Sequence, residues 1–158
     1  MLSNSHNTAT LTKNKPLFIL RQEQYHALLF CWRIRTGLKK DLEPSRLKRY
    51  VDWFYINNLG PHFEIEEIFI FPLIKNNTQL IKKARSEHRR LKRLIADTAN
   101  PSKTLSLLEE ELESYFLFER QKLLYEIQTG IPEKELDIIA GIHMESISYD
   151  DWGDEFWR

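Results

Sequence analysis

Pro61-His62-Phe63-Glu64-Ile65-Glu66-Glu67-Ile68-Phe69-Ile70-Phe71-Pro72 carries two polar groups where an amphipathic helix should be dry. His62 and Glu66 are four residues apart, so on a helix they share one face, one turn from each other. That face is otherwise apolar, with Tyr55 and Leu59 before the pair and Phe69, Ile70 and Leu73 after it. An imidazole and a carboxylate inside such a stripe need a partner, or they cost on the order of several kcal/mol in lost hydration. A metal ion shared with other helices suits both donors.

The flanking sequence supplies a helix for this pair to sit on. It opens at Pro44, carries Leu47, Val51, Phe54 and Tyr55, and meets Gly60-Pro61. Proline lacks a backbone donor and clashes with the preceding turn, which predicts a kink or short break just ahead of His62. Two accounts of that break stand: it aims His62, or Pro61 merely starts a new helical segment. Pro72 and Asn76-Asn77 mark the end of the element.

Upstream, Pro16 and Gly37 bracket a first helix on which Phe18, Ile19, His26, Leu29, Phe30 and Ile34 recur at helical spacing. His26 falls in the middle of that stripe. Taken alone, it reads best as a hydrogen-bonded core or edge histidine. Downstream, Thr78 is an N-cap candidate for a third helix, with Leu80, Ile81, Ala84, His88, Leu91, Leu94 and Ile95 on its buried side. Its other face holds Lys82, Lys83, Arg85, Arg89, Arg90, Lys92 and Arg93, and reads as a solvated surface. Asn100-Pro101 opens a fourth helix that runs to Gly130, with Leu105, Leu108, Leu112, Tyr115, Glu119, Leu123 and Ile127 in its stripe. Glu109, Glu110, Glu111 and Glu113 face elsewhere, set to offset the basic third helix. Pro132 begins a short fifth helix with Leu136, Ile139 and Ala140 buried. His143, near its end, falls outside the four-helix pattern and is not part of the predicted site.

The bulk numbers agree with one soluble domain. A chain of 158 residues, 42% hydrophobic, is long enough to bury a core. Lys+Arg and Asp+Glu balance at 23 each, so no net field favours nucleic acid or an anionic membrane. No aromatic interleaving accompanies the basic face, so no nucleic-acid partner is expected. The lone Cys31 excludes a disulfide framework and a cysteine-rich zinc site, and fits core filler in a reducing, cytoplasmic setting. Residues 1–15 lack the apolar core of a signal peptide, and no run reaches membrane-spanning length. The expected organisation is a flexible tail over 1–15, in which His6 has no role, a bundle over 16–130, and a C-terminal helix and acidic aromatic tail over 131–158. Tyr149, Trp152, Phe156 and Trp157 are too many rings to leave solvated, so that tail is expected to pack on the domain. Glycine-rich phosphate loops and alternating strand patterns are lacking. The predicted architecture is all-α, an up-down-up-down four-helix bundle with short connections.

Each long helix then places a polar residue in its buried stripe near mid-length: His26, His62 with Glu66, His88, and Tyr115 with Glu119. Antiparallel helices rise about 1.5 Å per residue, so these positions converge on one layer of the core. Mixed imidazole and carboxylate donors suit iron first, then manganese or zinc.

With that order in view, the chain resembles the hemerythrin-like, or HHE cation-binding, domains, whose motifs run His, HxxxE, His, HxxxE along four helices. The matching stretches are Glu23-Gln24-Tyr25-His26, His62 through Pro72, Glu87-His88, and Tyr115 through Leu124, within residues 16–130. The resemblance implies a non-haem di-iron site in which His26 and His62 hold one iron, His88 holds the other, and Glu66 and Glu119 bridge. It also implies binding of dioxygen or nitric oxide, iron sensing, or repair of damaged iron centres. Two residues depart from the pattern: Tyr115 stands at a histidine position, and Arg120 where relatives often carry a second Glu. Three outcomes are open for Tyr115. It ligates as a phenolate; it stays neutral and leaves a coordination position open; or its site is empty, giving one ion or none. No substrate-pocket motif is present, so a non-enzymatic metal-binding role leads. The alternatives are a redox enzyme using the same centre, and a metal-free bundle whose basic third helix binds an acidic partner.

Overall fold

The computed structural model describes residues 5–148 and 151–158, with side chains from residue 19 onward. Among them every regular element is helical. Helix α1 spans Ser5–Lys39, so it runs upstream through Pro16, where the sequence predicted its start. Residues 5–15 contain neither Gly nor another Pro, and nothing in them stops a helix from propagating. At the other end Gly37 does not close α1 but lies buried in its last turn. A Cβ there would sit 2.4 Å from Leu47 Cδ2, so glycine is what lets α1 approach the next helix. The stop is supplied instead by Asp41, at φ 55°. The Asp41 N–H bonds Leu38 O at 3.1 Å and the Leu42 N–H bonds Gly37 O at 3.2 Å, closing the orphan carbonyls as a left-handed cap does.

The second rod is built in pieces: α2 (Pro44–Phe54), a π turn (Tyr55–Leu59), α3 (Gly60–Ile65), a second π turn (Glu66–Ile70) and a 3₁₀ turn (Phe71–Leu73). The break predicted ahead of His62 therefore takes the form of a π turn, in which the Gly60 N–H donates to Tyr55 O. Pro61 has no N–H to give the Asn57 carbonyl one turn back, and the Ser148 N–H takes that oxygen at 3.0 Å. Helix α4 spans Thr78–Ala96, capped by Asn77 and not by Thr78, since the Asn77 side chain accepts the Leu80 N–H at 3.2 Å. The fourth rod is α5 (Pro101–Phe118), a π turn (Glu119–Leu123) and α6 (Leu124–Gly130), followed by α7 (Glu133–Ser146).

Helix α1 packs on α5 and α2, α4 packs on α5, and α7 lies against both α1 and α3. The core between them is apolar and aromatic, with Phe30, Ile34, Leu59, Phe63, Leu91 and Leu112 fully buried and Cys31 filling space beside them. The C-terminal segment is tied down by a buried Phe156 against Tyr50, by the Arg33 guanidinium 3.9 Å from the Trp157 ring, and by a paired Arg46–Asp154 contact at 2.7 Å. Tyr149 lies outside the described residues. The acidic residues of α5 do not all answer α4. Glu111 pairs with Arg90 at 2.6 Å, but Glu109 turns inward and, with Glu113, holds Arg35 of α1. No helix among the described residues is long and apolar enough to cross a membrane.

Candidate metal centre

Two of the three π turns begin at a buried glutamate. The Phe71 N–H reaches back to Glu66 O, and the Leu124 N–H to Glu119 O, each a five-residue step in place of four. Such a step inserts one residue and rotates the downstream part of the helix, a device that collects at functional sites. Here it lets Glu66 and Glu119 stay in the core while the apolar faces of their rods, Ile70 and Leu123 onward, continue to face inward. The third π turn precedes α3 and carries the chain into His62.

Around these carboxylates the side chains interlock. His62 Nε2 contacts Glu66 Oε1 and lies 3.2 Å from Glu119 Oε2, while its Nδ1 is held by Glu23 Oε2 of α1. On the other side the Tyr115 hydroxyl donates to Glu66 Oε2 at 2.7 Å and lies 2.6 Å from His88 Nε2. His88 Nε2 is also 3.4 Å from Glu66 Oε2, and its Nδ1 meets Glu67 Oε1 at 2.8 Å. Phe63 stacks on the His88 ring at 4.0 Å between centroids and fixes its plane. Donor atoms of His62, Glu66 and Glu119 all lie within 4.8 Å of one another, and those of Glu23, His62 and His143 form a second such group.

Burial sets the proton inventory of this layer. Burial pushes the Glu119 carboxyl up, and the neighbouring Glu66 charge adds to this, raising its pKa to about 8 against the pull of His62. Glu66 goes the other way: burial would raise it, but His62, and then His88, hold it well below the usual carboxylate range. For His62, burial favours the neutral ring, yet Glu23, Glu66 and Glu119 together lift it well above its ordinary value. Burial, reinforced by Glu66 and Glu119, keeps Tyr115 a neutral phenol. Burial opposes ionisation of Glu23, and His62 and His143 overturn that and hold its pKa below normal. Without a cation the layer is therefore a mutually protonated acid–imidazole network, with protons at Glu119 and His62 Nε2 that a metal can displace.

Of the residues expected to meet here, His62, Glu66, His88, Tyr115 and Glu119 come together. His26 does not join them. It is half-buried and lines a separate crevice with Arg33, Tyr50, Trp53, Asn58 and Asp151. The buried face of α1 runs through Leu20, Glu23, Ala27, Phe30 and Ile34, one step round from the stripe that placed His26 at its centre. Glu23 occupies that place. That 3-4-3-4 register is visible in the sequence and would have found it. His143, set aside on sequence grounds, is buried on α7 and bonds Glu23 Oε1 through Nδ1 at 2.5 Å. Glu67, half-exposed, was also missed as the partner of His88.

The donor chemistry fits a cation. Glu23 and Glu67 can only accept when ionised, so they keep protons on the Nδ1 atoms of His62, His143 and His88 and direct Nε2 to other work, as second carboxylates do for metal-bound imidazoles. Glu66 and Glu119 approach the same point from two rods, where a cation would let both carboxylates ionise together. The family model described as "Hemerythrin HHE cation binding domain" matches residues 19–127. Neither the curated proteins nor the solved structures gave a match.

Proposed function

The chain belongs to the hemerythrin HHE cation-binding domain family, and on that basis we propose that it is a non-haem iron protein. It holds two iron ions and binds or senses a small diatomic ligand, dioxygen or nitric oxide, or iron itself. The observation that carries this reading is the pair Glu66 and Glu119, both about 2% exposed, facing each other between two imidazoles and a phenol. Glu66 and Glu119 would be shared between the ions, with His62 on one side and His88 and Tyr115 on the other. Bound iron would supply Lewis-acid and one-electron redox chemistry, with a coordination position for the diatomic.

The chain's own part is positioning. Glu23 and Glu67 hold His62 and His88 in the tautomer that leaves Nε2 for a metal. Phe63, Phe71 and Phe116 wall the layer off from bulk water, which strengthens every charge interaction inside it. A cavity of about 290 Å³ beside α4 and α5 is lined by Lys83, Glu87, Arg90, Glu111 and Phe118 together with Tyr115. An opening next to Tyr115 supports small-ligand access on the His88 side. A non-enzymatic role in a reducing, cytoplasmic setting fits the buried Cys31, whose thiol burial keeps protonated. The test is anaerobic reconstitution with iron(II), then stopped-flow mixing with dioxygen or nitric oxide. A saturable spectral change reversed by purging supports ligand binding. Catalytic consumption of dioxygen would favour the redox enzyme, and no spectral change would refute both.

A further inference from the structure

On the reading above, donor atoms of His62, Glu66 and Glu119 converge on one ion position, and His26, which lines a separate crevice, adds no fourth. We propose that His143, on the fifth helix and outside the four-helix motif, is the missing ligand on the His62 side, and that Glu23 is the positioning residue that serves both histidines at once.

Three observations carry this. His143 is 2% exposed, and its Nε2 is buried with no hydrogen-bond partner. A buried nitrogen left bare costs about 1–3 kcal/mol unless something binds it. The two oxygens of one carboxylate are divided between the two rings, Oε2 to His62 Nδ1 and Oε1 to His143 Nδ1, so both rings present Nε2 as the remaining donor. The ring centroids of His62 and His143 are 5.9 Å apart, and α7 is docked against both α1 and α3, the helices that bear Glu23 and His62. Glu23 thus does for α1 what a histidine would do, but one shell further out.

The proposal rests on the metal-binding reading and can fail without it. Three variants are loaded anaerobically with iron(II), and bound metal and the metal-dependent rise in melting temperature are measured. His143→Asn keeps an amide donor toward Glu23 but has no atom at the Nε2 position. It should lose about one equivalent of iron relative to wild type, or bind that equivalent at least tenfold more weakly. His26→Ala should bind as wild type does. Glu23→Gln should weaken binding about 10–100-fold while keeping stoichiometry at high iron, as loss of an orienting carboxylate does. If His143→Asn binds like wild type, or His26→Ala loses the equivalent instead, the assignment to His143 is overturned and the metal-binding reading stands. If wild type binds no metal, both fall. Should His143→Asn not fold, nitrogen NMR of zinc-loaded His26→Ala decides. Three imidazoles with metal-shifted Nε2 and protonated Nδ1 support His143, and two overturn it.

Discussion

Tyr115 and Glu119 are the residues at which chemistry departs most from ordinary core packing. The Tyr115 hydroxyl is the link between His88 and Glu66. Tyr115→Phe strips that link from two buried polar groups, so metal-free protein should lose about 1–3 kcal/mol in urea unfolding. If the phenolate also ligates ferric iron, the oxidised protein is coloured by charge transfer and the same variant should be colourless. A band that survives the substitution would remove Tyr115 from the ligands. Glu119 makes a pH prediction. Its folded pKa is about 8, against about 4.3 in an unfolded chain. Between those values the folded state keeps a proton that the unfolded state releases, so this stabilisation is full below the lower value and lost by the higher one. Metal-free wild type should therefore lose stability relative to Glu119→Gln as pH rises from 5 to 8, and a pH-independent gap between the two would contradict the assignment. Most of this layer was legible, because His62, Glu66, His88, Tyr115 and Glu119 interrupt apolar stripes at helical spacing. Glu23 is less legible, because histidine is the stronger mark of a metal stripe while the acid three residues before His26 lies on the better-buried face.

At the scale of the element, the sequence announced the rods but not all of their ends, nor the π turns that adjust them. Proline in a helix predicts disruption, and Gly60-Pro61 does interrupt the α pattern. What periodicity cannot say is where the freed carbonyl goes, and here Asn57 O is satisfied by Ser148 from ninety-one residues onward. The glycine beside it is a working part. A Cβ on Gly60 would lie 2.8 Å from the Tyr55 carbonyl oxygen, the acceptor of the π-turn bond. Gly60→Ala should therefore reshape the turn that leads into His62 and weaken iron(II) binding by about tenfold or more without altering any donor, as small misplacements of a preorganised site do. Competition against a metallochromic chelator would measure this, and unchanged affinity would show that the turn does not aim His62. Asp41 similarly replaced the expected Gly37 stop, because a left-handed cap asks for a backbone geometry and glycine is only its commonest supplier.

Viewed whole, the molecule is a helical bundle with its C-terminal helix and tail docked on it. The four-rod plan followed from stripe periodicity, short connections and the prolines, Pro44 and Pro101, that open the second and fourth rods. The place of α7 did not, since its short apolar face, Ile139 and Ala140, is compatible with many docking sites. Its seat between α1 and α3 is set by specific bonds, His143 to Glu23 and Ser148 to Asn57, and by the aromatic tail closing over Tyr50 and Trp53. Pairings of that sort carry no period, which is why a histidine so far along the chain was hard to place from sequence. They also draw the C-terminal helix to the acid–imidazole layer, so occupancy of that layer should be felt across the fold. The most direct measurement is metal content by mass spectrometry after iron(II) reconstitution and removal of free ions, for wild type beside Glu66→Ala. The account predicts about two irons per wild-type chain and marked loss in the variant, and a wild-type protein that retains no iron, manganese or zinc would contradict it.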